Sequence, residues 1–235
     1  IEQELSKFYD EVKILSRLKH PNLIAVQGYS FENFKSESKP IIINEFYKRQ
    51  TLSNIIDMSR NNFIIENWTA TAKLINLFGI ASGMSYLHRN GVSHPELTPN
   101  SIIVDNNAFP KLTNYGFFMK LQISNSITQS ASKFVNNPIY QAPEILRNEP
   151  AVPKSDVYSF GMIAYEIFVK DKPFQDFSRA DRIINEIINK NARPKFPTDD
   201  EHKIPECYQK LIERCRCDDP SERPSFDDII EILQT

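Results

Sequence analysis

The chain has 235 residues and a mass of 27.2 kDa, with 40% hydrophobic and 25% charged side chains. This is a length for one large domain or two small lobes, and a composition that excludes disordered and fibrous classes. Lys and Arg total 28 against 30 Asp and Glu, a net charge of −2 with a pI near 6.2, so charge makes no case for DNA, RNA or an anionic membrane as main partner.

The chain opens with Ile1 rather than Met, already inside a helical pattern, and reads as part of a longer polypeptide or one trimmed at its start. Leu5, Phe8, Val12, Leu15 and Leu18 recur at spacings of three and four, which predicts a helix over 2–19 ended by His20-Pro21. Asn22–Val26 and Ile41–Ile43 are short apolar runs on either side of a polar turn, Glu32–Lys39, and read as strands within 22–47. A short helix over Leu52–Ser59, capped by Ser53, comes next. Residues 67–88 carry an apolar stripe of Leu74, Leu77, Phe78, Ala81, Met84 and Leu87, with Asn90-Gly91 as the stop. Gly79 and Gly83 inside it point to close helix packing rather than phosphate contact.

Short β segments are expected near Ser101–Val104 and Lys111–Thr113. The polar segment Lys120–Asn137 has a length that is usually functional or disordered. Residues 155–169 are apolar nearly all round, the pattern of a helix buried at a domain centre. Three helices follow, near 178–190, 205–215 and 225–234. Ser178 with Asp181 and Ser225 with Asp228 would box the first and third, and Pro205 suits the first turn of the second. The order is α+β rather than an alternating parallel sheet.

No segment reads as a signal peptide or membrane span; Phe160–Val169 is short and contains Glu166. Cys207, Cys215 and Cys217 are too few for a disulfide framework and suit a reducing, cytoplasmic setting. Cys215-Arg216-Cys217 lacks the second ligand pair a zinc site needs. Asn67-Trp68-Thr69 matches a glycosylation acceptor, which has no meaning in that compartment.

Five motifs then fall in order. His94-Pro95-Glu96-Leu97-Thr98-Pro99-Asn100-Ser101 resembles the protein-kinase catalytic loop H-R-D-L-x-x-x-N, and Asn114-Tyr115-Gly116 sits where that family has D-F-G. Ala142-Pro143-Glu144 matches A-P-E. Ser155–Gly161 resembles the start of the family's central helix, and Cys217–Pro220 with Arg223–Phe226 its closing segment. The resemblance covers essentially the whole chain, and Ala192-Arg193-Pro194 with Tyr158–Gly161 leans toward the tyrosine-kinase-like branch.

The resemblance implies a protein-kinase-like fold, α+β, with a helical C-lobe over 48–235 and a reduced N-lobe over 1–47 holding only the first helix, the last two strands and the hinge. It implies nucleotide contacts at Glu45, Tyr47 and Ile103, with Phe46 in the hinge and Asn44 guarding the pocket behind it. It implies a structural column of Leu15, His94 and Tyr115 anchored by Asp156, and a Glu144–Arg223 ion pair. Glu11 falls where the family's first-helix Glu meets a strand Lys that this chain does not contain. Without the resemblance, His94 reads as a core histidine and Asn114 as a turn residue tolerant of unusual backbone angles.

The departures bear on activity. Kinases hold two Mg²⁺ ions with the D-F-G Asp and the catalytic-loop Asn; here those positions are Asn114 and Ser101. The catalytic Asp is Glu96, one methylene longer. Thr98 replaces a phosphate-facing Lys, Pro95 replaces the Arg, and neither G-x-G-x-x-G nor V-A-I-K occurs. The expected function is therefore a pseudokinase, a signalling or scaffolding module that binds other signalling proteins with little or no phosphotransfer. The alternative is a divergent Ser/Thr kinase with Glu96 as base. ATP and Mg²⁺ are expected as cofactors only under that alternative.

Overall fold

The computed structural model describes residues 2–32, 35, 40–47, 50–65, 68–115, 137–169, 172–198 and 204–234, and for residues 2–7 the backbone alone. Leu5, Asn67, Gly116, most of the Glu32–Lys39 turn and the polar segment from Lys120 to 136 lie outside the described side chains. The opening helix α1 runs Glu2–Leu15, shorter than its apolar pattern. Phe8, Val12 and Leu15 are buried on it. Leu18 is buried too, but from a turn, where its amide bonds the Leu15 carbonyl instead of continuing the helix.

Strand β1 is Val26–Ser30 and pairs antiparallel with β2, Ile41–Asn44. The first strand thus starts four residues later than expected. Asn22–Ile24 is drawn off by the other sheet: Leu23 bridges Leu112 in parallel, Leu112 N donates to the Asn22 carbonyl, and Ile24 N donates to the Leu112 carbonyl. That second sheet has β3 (Gln50–Thr51), β4 (Ile102–Val104) and β5 (Pro110–Leu112) in order, all antiparallel. Helix α2, Leu52–Arg60, is capped by Thr51, whose hydroxyl accepts from Asn54 N, and not by Ser53.

Helix α3, Ala70–Arg89, begins at the Thr69 cap and stops at Asn90 and Gly91, the latter at φ +71°. It is buried well beyond one stripe. Leu77, Ile80, Ala81, Met84 and Leu87 are core, whereas Phe78 is exposed and Leu74 only half-buried. The reason is the glycines: Gly79 and Gly83 let α3 lie directly on β5 and Asn22, adding a second buried face. A short α4, Pro143–Leu146, precedes α5, Pro153–Phe168, which is buried from Ser155 to Ile167.

Three amphipathic helices close the chain: α6 (Ala180–Asn189), α7 (Glu206–Cys215) and α8 (Phe226–Gln234). Ser225 and Asp228 form the expected reciprocal cap of α8. The Ser178–Asp181 cap does not form, because Arg179 takes both Asp181 oxygens at 3.0 and 2.9 Å. Pro205 is the residue before α7 rather than inside its first turn. Cys215 is buried against Gly161, and burial pushes its thiol up to about 12, so it serves as packing. Among the described residues no helix is long and apolar enough to cross a membrane.

The α3–β5 approach is testable. An alanine Cβ at Gly79 would stand 2.6 Å from Pro110 Cγ and 2.8 Å from Asn22 Nδ2. Alanine favours an open helix by about 1 kcal/mol, but overpacking costs about 1–3 kcal/mol, and the proline ring cannot turn aside. Gly79→Ala is expected to lower the urea-unfolding free energy, while Gly28→Ala, with no atom within 4 Å, stays within about 0.5 kcal/mol of the parent. A more stable Gly79→Ala would show that the close approach is not what holds glycine there.

Candidate functional site

A cavity of about 330 Å³ opens between α1, the β1–β2 pair and the loops after Gly91 and Leu112. Helix α1 contributes Phe8, Glu11 and Leu15, one face at spacings of three and four. Ile24, Val26, Pro40, Ile42 and Asn44 form the sheet side, and Glu96, Asn114 and Tyr115 close it. Glu96, Asn114, Tyr115, Leu15, Glu11 and Asn44 are thus brought together. Glu45, Tyr47 and Ile103 are not on this wall. The Glu45 amide donates to the Ala25 carbonyl and its carboxylate accepts from the Tyr47 hydroxyl at 3.0 Å. Ile103 is held in β4 opposite Thr51 and Lys111. Phe46 is 84% exposed.

Each loop position has a local cause. Asn114 adopts φ +61°, a conformation its short polar side chain tolerates and most residues do not. Tyr115 next to it is buried, donates its hydroxyl to the Ile24 carbonyl, and is pushed up to about 12 by burial, so it stays neutral. Ser101 is buried and turned into its own loop: Thr98 N donates to its Oγ at 3.1 Å, and Oγ donates back to the Thr98 carbonyl at 2.9 Å. Its carbonyl accepts from Thr113 N and Oγ1, tying the 94–101 loop to the segment before Asn114.

The supporting polar groups are deeply placed. Asp156, buried at the start of α5, accepts from His94 N at 2.9 Å and lies 2.8 Å from His88 Nε2. The His94 ring is fully enclosed. Burial drives its pKa down to about 4, against the pull of Asp156 and the Thr113 and His94 backbone, so it is neutral. Farther along, Glu144 meets Arg223 through two bonds, 2.7 Å to Oε1 and 2.8 Å to Oε2, and accepts from Ser155 Oγ at 2.7 Å. Burial works to raise the Glu144 pKa, but the bonds from Arg223 and Ser155 and the guanidinium charge hold it below the usual carboxylate range.

This architecture and motif order agree with comparison to known proteins. A family description, protein kinase domain, matches residues 1–233. The chain belongs to the protein kinase family. It is 31% identical, over 97% of its length, to the dual specificity protein kinase shkD of Dictyostelium discoideum. It is 30% identical over 97% to the probable serine/threonine-protein kinase roco8 of the same organism. It is 29% identical over 97% to the putative serine/threonine-protein kinase/receptor R818 of Acanthamoeba polyphaga mimivirus. The chain spans only 29%, 12% and 13% of those proteins.

Within this kinase domain, the two positions matched to Mg²⁺ ligands do not suit the ion. Mg²⁺ favours carboxylate oxygens in near-octahedral geometry. Asn114 is a neutral amide on an exposed turn, and the Ser101 hydroxyl is spent on Thr98. Among the described residues no group of three or more His, Cys, Asp or Glu could hold a metal ion. The Thr98–Ser101 bond pair was legible only as a Thr-x-x-Ser spacing. The buried Glu166, which accepts from the Tyr140 hydroxyl and from Arg60, had as its signal a lone charge in an apolar run.

His94 gives a pH signature. Its folded pKa lies below the ordinary 6.5, so the unfolded chain binds the proton first. Stability from this group is complete above pH 6.5 and is lost as pH falls toward 4. Between pH 6.5 and 5 the loss amounts to about 2 kcal/mol. Urea unfolding of the parent and of His94→Phe at both pH values should differ by that slope; equal slopes would mean the ring is not enclosed in solution.

Proposed function

We propose that this kinase domain is a pseudokinase of the tyrosine-kinase-like branch, a signalling or scaffolding module that binds other proteins with little or no phosphotransfer. The observation that carries the reading is the Ser101 hydroxyl, used as donor and acceptor by the Thr98 backbone, beside a neutral Asn114. Phosphoryl transfer works by placement and charge compensation, and these positions offer neither. Glu96 keeps a carboxylate at the cavity, but an acceptor displaced by about 1 Å can cost about 100-fold. A division after Tyr47, with 1–47 as partial N-lobe and 48–235 as C-lobe, is supported by the end of β2 at Asn44 and the start of β3 at Gln50. A cytoplasmic setting, where Cys207, Cys215 and Cys217 remain thiols, goes with this function.

The second reading, a divergent Ser/Thr kinase with Glu96 as base, is favoured by the relatives, which are named serine/threonine or dual specificity kinases. A radiolabelled-ATP assay with Mg²⁺ on the longest native chain separates the two. Losing one transition-state electrostatic contact costs about 10²–10³ in rate. The parent is therefore expected to show no turnover above a Glu96→Ala control, nor after Asn114→Asp and Ser101→Asn together. Robust turnover abolished by Glu96→Ala would establish the kinase instead. A thermal melt with ATP completes the test: occupancy at about 100 times Kd would add about 2.7 kcal/mol.

A further inference from the structure

Three arginines gather where α5 meets the segment after α6 and the end of α7. Arg193 and Arg223 lie over the Tyr158 ring, 5.3 and 5.4 Å from its centroid. Arg216 lies over the rings of Tyr165 and Phe196 at 5.3 and 5.0 Å. Tyr158 and Tyr165 are two helical turns apart on one face of α5. Arg193 joins the two positions, because its Nε donates to the Arg216 carbonyl at 2.8 Å.

The carboxylates of this region are bonded to other arginines. Glu144 takes Arg223 with both oxygens. Asp218 takes Arg147 at 2.9 and 3.1 Å, and stands 3.6 Å from Arg193 Nη2, near enough to attract but too far to bond. Glu213, exposed on α7, acts on Arg216 only through space. A guanidinium keeps its charge in a protein, so four of them face two carboxylates that are already engaged.

Three donors in this cluster, the Tyr158 hydroxyl, Arg193 Nη2 and Arg216 Nε, are buried and find no acceptor. Burial raises the Tyr158 pKa against the pull of Arg193, Arg216 and Arg223, so the phenol keeps its proton and stays a donor. Buried donors without acceptors are costly and rare. Three of them amid excess positive charge call for an acceptor that is itself an anion. Neither cavity large enough for a molecule, of about 510 and 330 Å³, includes these residues, which favours a single-atom anion over an oxyanion.

We propose that a chloride ion binds in this cluster, accepting from Tyr158 Oη, Arg193 Nη2 and Arg216 Nε and tying α5 to the ends of α6 and α7. The site uses no residue of the cleft, so it stands whether or not the domain transfers phosphate.

The test titrates the full 235-residue chain with sodium chloride against sodium gluconate at fixed ionic strength, which holds general screening constant. Chloride NMR line width and thermal melting are read together. The line should broaden saturably with a Kd below about 10 mM, and the melting temperature should rise with chloride and not with gluconate. Tyr158→Phe keeps the ring beneath the guanidiniums and should weaken chloride by about tenfold or more. Arg193→Gln should do the same. Circular dichroism confirms that each variant is folded; the parent's own broadening and its competition with sulfate need no variant. Three results would overturn the proposal. No saturable broadening up to about 100 mM chloride would leave these donors to water. Broadening unchanged by Tyr158→Phe would place the ion elsewhere. Sulfate displacing chloride at equal concentration would mean an exposed site open to oxyanions.

Discussion

The arginine at 223 sets the terms for the rest of the helical part of the molecule. Its side chain is 0% exposed, and each of its five N–H groups has an acceptor. Two go to Glu144, and the others go to the carbonyls of Cys217, Lys154 and Asp218. A buried charge is tolerated only when paired and fully hydrogen-bonded. Glu144, 79 residues away, must therefore arrive with both oxygens aligned. The Lys154 ammonium returns a bond to the Arg223 carbonyl at 2.5 Å, and Ser155 completes Glu144. Three segments, around Glu144, Lys154–Ser155 and Cys217–Arg223, are thereby held in one geometry at the start of α5.

From that fixed helix the site is built outward. Asp156 follows Ser155 on α5 and holds the loop of His94 by its backbone amide. The same loop is held to β5 and the Asn114 turn through Ser101 and Thr113. Leu112 in turn carries the backbone of Asn22–Ile24, whose carbonyl receives the Tyr115 hydroxyl. The cavity walls thus come from distant parts of the chain and are positioned by a continuous series of backbone bonds. Little of it depends on the side chains that would perform chemistry. A scaffold of this kind can persist while its reacting groups change, because fold and site are separate properties.

Ser101 illustrates that separation. Its hydroxyl is short enough to bond the backbone three residues back, the usual competition of small polar side chains for local partners. The loop gains an internal bond and the cavity loses an oxygen. Tyr140 and Glu166 show the same economy elsewhere: the carboxylate near the end of α5 is pushed upward by burial, and is accommodated because Tyr140 and Arg60 bond it.

By itself, the sequence determined the helices whose apolar residues recur with a helical period. Residues 155–169 are legible as a buried helix, and the motif order led from the residues to the kinase fold. Local chemistry also sufficed for the Ser225–Asp228 cap, and the Asn90-Gly91 stop was legible from residue type. Tertiary structure alone decided where non-local bonds outcompete local ones. It lent Asn22–Ile24 to the second sheet. It also withdrew Glu45, Tyr47 and Ile103 from the cavity wall. The cap of α2 at Thr51 and the pairing of Asp181 with Arg179 are themselves local, three and two residues apart, and were chosen among local partners that the residue types alone leave open. Periodicity records which side of an element is apolar, but a polar group satisfies itself with whatever partner the packed chain brings near, and that partner has no fixed spacing in the sequence.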